Sequence, residues 1–315
     1  MRAALRQATL SPKRPAPSSF AVNGVEPVAL WDFANGAFPA GFSHSRASTG
    51  TAIAADGSFV AQAADSLRYD LSGTQPEVIL EGAATNLLSH SAATLGAGWS
   101  TSGGSAANLA LGALGVFGGC RVTSGGATWH RLLHSARPLL TAGTAYTLTT
   151  WFILGTSAQG IVILRDNTGA TESRILATAA GTSIQSELAG SLTNVAFAVV
   201  GSLVTLSVTF TPNFTRDLNL GIGPASAVSG EDVIVLGAQL CEGPAATTYI
   251  PTLGASAQRA ADVVEWSAPQ GVYDLRRITG NGIIVDQTAV AISAGWSASL
   301  PLRAQSMALY PVGTL

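Results

Sequence analysis

Over residues 202–211 the chain alternates, with Leu203, Thr205, Ser207 and Thr209 on one side and Val204, Leu206, Val208 and Phe210 on the other. Period two with one wholly apolar side predicts a strand that lays that side on a core. Residues 146–154 (Tyr-Thr-Leu-Thr-Thr-Trp-Phe-Ile-Leu) alternate at first and then become fully apolar, as a strand passing into a sandwich core does. Further short apolar runs at 28–33, 52–55, 58–61, 77–80, 160–164, 218–222 and 233–240 are separated by turn chemistry: Asn35-Gly36, Asp56-Gly57, Asp166-Asn167-Thr168-Gly169 and Pro212-Asn213. Four more candidates, 263–266, 272–278, 283–290 and 306–310, are divided by Pro269-Gln270-Gly271, Gly280-Asn281-Gly282 and Gly295. Helical periodicity is scarce, and residues 182–192 carry the best of it. The pattern predicts an all-β protein, an antiparallel β-sandwich of jelly-roll type.

Along the chain this pattern divides into residues 1–24 as an extended anchoring arm, 25–91 as a leading β-rich unit, 92–262 as the sandwich and 263–315 as a small C-terminal β region. The first nineteen residues hold three prolines, four basic residues and no acid, which gives them nothing to build a core from. They read either as a disordered tail or as a tether laid over a neighbouring protein.

Composition narrows the partners. Only 11% of residues are charged, against roughly a quarter in ordinary globular domains. A surface so poor in charge favours a chain covered by copies of itself or by neighbours. The net charge of −2 leaves no footprint for nucleic acid. The most apolar stretch, 195–210, is broken by Gly201-Ser202, so no membrane insertion is expected. Cys120 and Cys241 lie in no Cys-x-x-Cys pair and read as buried free thiols. No secretory leader is evident at the N-terminus, so synthesis and assembly in a cytoplasm are expected.

Catalytic chemistry is thin. His44, His90, His130 and His134 have no Gly-x-Ser-x-Gly elbow near them. His130 and His134 lie four apart, but no Glu follows the first as a zinc protease requires. Gly221-Ile222-Gly223-Pro224 lacks the later glycine of a dinucleotide loop. Eighteen acids are spread thinly, and their spacing marks no hydrolytic pair. The residues therefore call for no enzyme, no cofactor and no metal. What remains is aromatic: Trp99 in Gly98-Trp99-Ser100, and Trp129 beside His130 and Arg131, lie in polar, loop-like sequence. These four are the candidate carbohydrate contacts, with packing as the alternative role of both indoles. Trp151, in an apolar run, reads as core.

Two segments bracket the strand-rich middle. The first holds Arg46-Ala47-Ser48-Thr49, Asp56-Gly57, Arg68 with Asp70, and Glu81 followed by Thr85-Asn86-Leu87-Leu88. The second holds Gly237-Ala238-Gln239-Leu240-Cys241-Glu242-Gly243, Tyr249-Ile250-Pro251-Thr252 and Arg259-Ala260-Ala261-Asp262. Together they resemble a recurrent element of tailed-bacteriophage virion proteins of the tail-fibre and head-appendage type. That resemblance implies a lectin- or carbohydrate-binding-module-like sandwich between the segments. Cys241 is the departure, an extra residue before Glu242 that a β-bulge would absorb.

The resemblance further implies a virion structural protein of tail fibre, tail tip or head appendage, assembled in the bacterial host cytoplasm. It would be joined to other virion proteins through the arm, homo-oligomeric with a trimer favoured, and in contact with host surface glycan. A capsid decoration protein without a receptor role and a glycan depolymerase are the alternatives. The bracketing charges, Arg46, Arg68 and Arg259 against Asp70, Glu81 and Asp262, are expected to pair as a structural clasp, since such groups are costly to bury alone.

Overall fold

The computed structural model describes residues 20–34, 38–109, 119–200, 202–294 and 296–315. The Asn35-Gly36 turn, Gly295 and residues 1–19 of the predicted arm lie outside the described residues. Among the described residues the regular structure is β, and no helix is long and apolar enough to cross a membrane. The chain forms two compact units, one of Ala47–Ala64 and Gly82–Ala261, the other of Met1–Arg46, Asp65–Glu81 and Asp262–Leu315.

The first unit is an antiparallel β-sandwich. One sheet runs Ser105–Asn108, Cys120–Thr123, Asp232–Glu242, Tyr146–Leu154, Leu203–Pro212, Gly190–Val200 in spatial order. The other runs Gly181–Glu187, Glu172–Thr178, Gln159–Asp166, Arg216–Pro224, Arg131–His134, Gly98–Ser102, Thr94–Leu95. Alternation decides what lies between them. Leu148, Phe152, Val204, Leu206, Val208 and Phe210 from one sheet meet Leu132, Val162, Leu164, Ile175, Leu220 and Ile222 from the other in a single buried cluster. The opposite side of the first sheet carries polar partners that satisfy each other, Thr149 Oγ1 with Ser207 Oγ at 2.7 Å and Thr147 Oγ1 with Thr209 Oγ1 at 3.2 Å.

Trp151 is buried on that opposite side, not between the sheets. It packs edge-to-face against Phe59 at 5.3 Å and Tyr249 at 5.2 Å, in a second cluster with Leu203 and Leu236. Phe59 arrives on the Gly50–Ile53/Phe59–Gln62 hairpin. The hairpin's Asp56-Gly57 turn puts Gly57 at φ +82°, a conformation favoured for glycine. A bulge does lie in the Asp232–Glu242 strand, but opposite Trp151/Phe152, where Leu236 is looped out of register. Cys241 pairs regularly with Thr147, so the extra residue is not absorbed where the sequence places it. Both cysteines are buried.

The second unit is assembled from segments distant in sequence. Ser306–Pro311 pairs with both Ala29–Asp32 and Gly271–Ile278, Leu302–Ala304 pairs with Glu77–Leu80, and Val263–Trp266 pairs with Phe42–Ser45. Trp31, Phe33, Phe42, Val78, Leu80, Trp266, Leu275, Met307 and Leu309 close its core. The domain limits read from chain order therefore need correction: 263–315 is not a separate region, because its strands are hydrogen-bonded to residues 29–32, 42–45 and 77–80. Residues 20–24 are likewise not arm. Val22 and Val25 bridge across a tight turn, and the Tyr310 hydroxyl donates to the Phe20 carbonyl at 2.5 Å. The stretch with the best helical pattern, 182–192, is occupied by the strands Gly181–Glu187 and Gly190–Val200.

Candidate functional site

Three groups of chemically distinctive side chains stand out, one in the second unit and two in the sandwich. The first is a buried charge cluster centred on Asp262. The segments of its unit end at Arg46, Asp65, Glu81 and Asp262, and all four residues take part. The Asp262 carboxylate accepts from His44 Nε2 at 2.9 Å, Arg46 Nη1 at 3.1 Å, Arg68 Nη2 at 2.6 Å and the Glu81 backbone N–H at 2.7 Å. Arg68 also donates from Nη1 to Glu81 Oε2 at 2.8 Å. Asp65 accepts from the Arg46 backbone N–H at 2.9 Å. The side chains of His44, Arg46, Arg68 and Asp262 are sealed from solvent. Burial alone would raise the Asp262 carboxyl pKa, but His44, the Arg68 charge and the Glu81 N–H outweigh it and hold the group well below the usual carboxylate range. A buried hydrogen-bonded set of this kind fixes geometry, and removing one member leaves the rest buried without compensation.

Two expected members lie elsewhere. Asp70 meets Arg303 Nη1 at 2.6 Å and Ser72, not the cluster. It sits at the end of a three-residue strand beside Glu77–Leu80, whose far neighbour Leu302–Ala304 delivers Arg303. Arg259 belongs to the sandwich, where its guanidinium reaches Thr248 Oγ1 at 2.9 Å and the Gly82 carbonyl at 2.6 Å. In place of those two, His44 enters the cluster. Its only sequence signal is period two: His44 and Arg46 are on the same side of an extended run.

The second group closes the sandwich. Gln239 holds residues 247–250 from both ends of its amide, Nε2 donating to Thr247 Oγ1 at 2.8 Å and Oε1 accepting from the Ile250 N–H at 2.7 Å. Asn86 does the same from the other side, Nδ2 donating to the Ile250 carbonyl at 2.9 Å and Oδ1 accepting from Leu240 and Leu88. Both residues are buried. They stand in the bracketing motifs, and their positioning role follows from the amide, which donates from its nitrogen and accepts at its oxygen.

The third group contains the candidate carbohydrate contacts. Trp99 is not a platform: it is 1% exposed, donates Nε1–H to the His90 carbonyl at 3.0 Å and stands edge-on to His134 at 4.9 Å. Its flanking Gly98 and Ser100 suggest loop, yet Gly98–Ser102 is a strand that turns the indole into the core. Trp129 is 48% exposed and packs edge-to-face on His130 at 4.5 Å. His130 is buried, its Nδ1 accepting the Gly125 N–H at 2.7 Å. Arg131 is also buried, and burial pushes its guanidinium pKa down from the ordinary value.

Its position is determined by two glycines. Leu133 pairs with Gly221, which puts Arg131 opposite the neighbourhood of Gly223 on the outer side of the sheet. A Cβ on Gly221 would lie 2.4 Å from Arg131 Cδ, and one on Gly223 would lie 2.3 Å from the His130 carbonyl. The arginine stem thus lies across a strand stripped of side chains. On the same side, in register, follow Ile163 opposite Gly221, Arg174 opposite Ile163, and Glu172 opposite Arg165. Glu172 is engaged by both Arg165, at 3.6 Å, and Arg174. Among the described residues Arg131 forms no ion pair within 4.0 Å, and its buried Nε has no acceptor.

No protein-family model and no curated protein matches the chain. Among solved structures the chain is similar to the CBM22-1 xylan-binding domain from Paenibacillus barcinonensis Xyn10C, with 13% identity and a TM-score of 0.32 over 51% of this chain and 94% of that one.

Proposed function

We propose that the chain is a non-enzymatic structural protein of a tailed-phage virion, part of a tail fibre, tail tip or head appendage, whose sandwich contacts host surface glycan. The observation that carries this reading is the cluster at Asp262. Arg46 and Asp262, drawn from the two bracketing segments that resemble tailed-phage virion proteins, are 216 residues apart and meet at 3.1 Å. Glu81, Asn86, Gln239 and Arg259 of the same segments are also positioning groups within their own units. The bracket thus acts as an architectural device, as the resemblance implies, and leaves recognition to exposed side chains such as Trp129. Residues 1–19 would provide attachment to other virion proteins, and homo-oligomerisation, with a trimer favoured, would multiply weak single-site contacts.

Antibodies against the chain should decorate intact tailed particles in negative-stain micrographs, and the labelled protein should bind intact host cells without releasing reducing sugar. Release of reducing sugar would replace this reading with a depolymerase. Particle labelling without any cell or glycan binding would leave only a decoration role.

A further inference from the structure

An arginine that is 7% exposed and whose buried Nε has no hydrogen-bond partner among the described residues is an expensive thing to keep. The chain keeps it at the cost of two strand-interior glycines: Gly221 clears the space that its stem crosses, and Gly223 admits the His130 carbonyl and the Arg131 Cα. Its surroundings add two further arginines, and the Glu172 charge that favours it is shared with both. Arg131, Arg165 and Arg174 share one side of the sheet with Glu172, which both of the other arginines already hold, and with Asp217 at the start of the Arg216–Pro224 strand. The Arg131 stem runs over Gly221, which is followed in the same rung by Ile163 and then Arg174. Ser102 stands opposite Arg131, and the exposed ring of Trp129 lies against Gly103, the next residue along.

We propose that this side of the sandwich is a binding site for a carboxylate-bearing sugar, the acid group seated on Arg131 and a sugar face resting on Trp129. A planar guanidinium with all its donors free offers a carboxylate two parallel hydrogen bonds. Aromatic and hydroxyl neighbours fit a sugar ring better than a bare inorganic ion. The site rests on the glycan-contact reading above and names the class of glycan: acidic surface polysaccharide, not neutral.

The test is calorimetric titration of the full chain with a uronate trisaccharide, with its carboxyl-reduced neutral counterpart and with acetate, repeated for R131Q and G221A. The uronate should bind the wild type. Affinity should fall roughly tenfold to a hundredfold in R131Q, and also in G221A, which keeps the charge but displaces the stem. Binding should weaken steeply with salt. Thermal melting of R131M, monitored by circular dichroism, should show stability unchanged or raised, because an uncompensated buried charge has gone. Equal binding of the carboxyl-reduced sugar, equal binding of acetate, or uronate affinity untouched in R131Q each overturns the proposal. So does a marked loss of stability in R131M, which would make the arginine structural. If R131Q still binds host cells and neutral glycans while no variant binds uronate, the acidic-sugar site falls and the glycan-contact reading stands. If the wild type binds neither cells nor any glycan, the underlying reading falls as well.

Discussion

Asp262 shows how much one residue can carry in a chain with so few charges. Four donors from two separate segments converge on its carboxylate. Replacing it with Asn should cost about 3–5 kcal/mol, the range for removing one partner of a buried ion pair. Glu81→Gln should cost less, since its backbone contacts with Asp262 persist while the charge on Arg68 loses one of its two acids. Thermal melts of both variants provide the check, and an unchanged melting temperature in Glu81→Gln would remove Glu81 from the clasp. Acid should reproduce the loss. Because the folded chain holds Asp262 below the unfolded carboxylate value of about 3.9, its stabilisation is complete above that pH and is lost as pH falls through the folded value. The melting-temperature gap between wild type and Asp262→Asn should thus be widest near neutrality and narrow progressively below about pH 4. A gap independent of pH would contradict the assignment.

At the scale of elements, the closing segment around Tyr249 and Ile250 is hung from two amides. Gln239→Ala removes the acceptor of the Ile250 N–H, and that amide should then exchange with solvent far faster while the central strand amides of Tyr146–Leu154 keep their protection. A loss of about 1–3 kcal/mol is expected from the groups left unpaired. The same scale explains what was legible in the sequence. Strands such as Leu203–Pro212 could be read because each side-chain direction is set locally by period two. The charges at Arg46, Arg68, Glu81 and Asp262 were legible as a set because their motifs keep a fixed order. Trp99 was misplaced because Gly98 and Ser100 look like loop, whereas pairing with Arg131–His134 makes the segment a strand. Asp70 failed for the same reason, since its partner Arg303 arrives on a strand that no local pattern ties to residue 70. The setting of Arg131 was not legible from its neighbours in sequence. Its seat depends on Gly221 and Gly223, glycines that mean nothing for phosphate and everything for clearance.

The whole molecule is two units interleaved along one chain. The sandwich has its own core, and everything after Ala261 belongs to the other unit. A chain ended after Ala261 should therefore keep a cooperative denaturant transition while binding a hydrophobic dye, because Trp31, Phe33, Phe42 and Val78 lose Trp266, Leu275, Met307 and Leu309. Loss of all cooperative unfolding would show the sandwich to be dependent on the rest. Interleaving also has a consequence on the ribosome. Ala29–Asp32, Phe42–Ser45 and Glu77–Leu80 are made early, but their partners, strands within Val263–Trp266, Leu302–Ala304 and Ser306–Pro311, are made last. At about 5–20 residues per second, the early strands wait on the order of ten to fifty seconds with their edges open. During that interval the finished sandwich can fold, while Trp31, Phe42 and Leu80 stay unclaimed. Asp262, translated just before the missing strands, sets the moment at which three waiting chain ends can be gathered. Neighbouring nascent chains on one message, each holding the same unpaired edges, would meet during that wait.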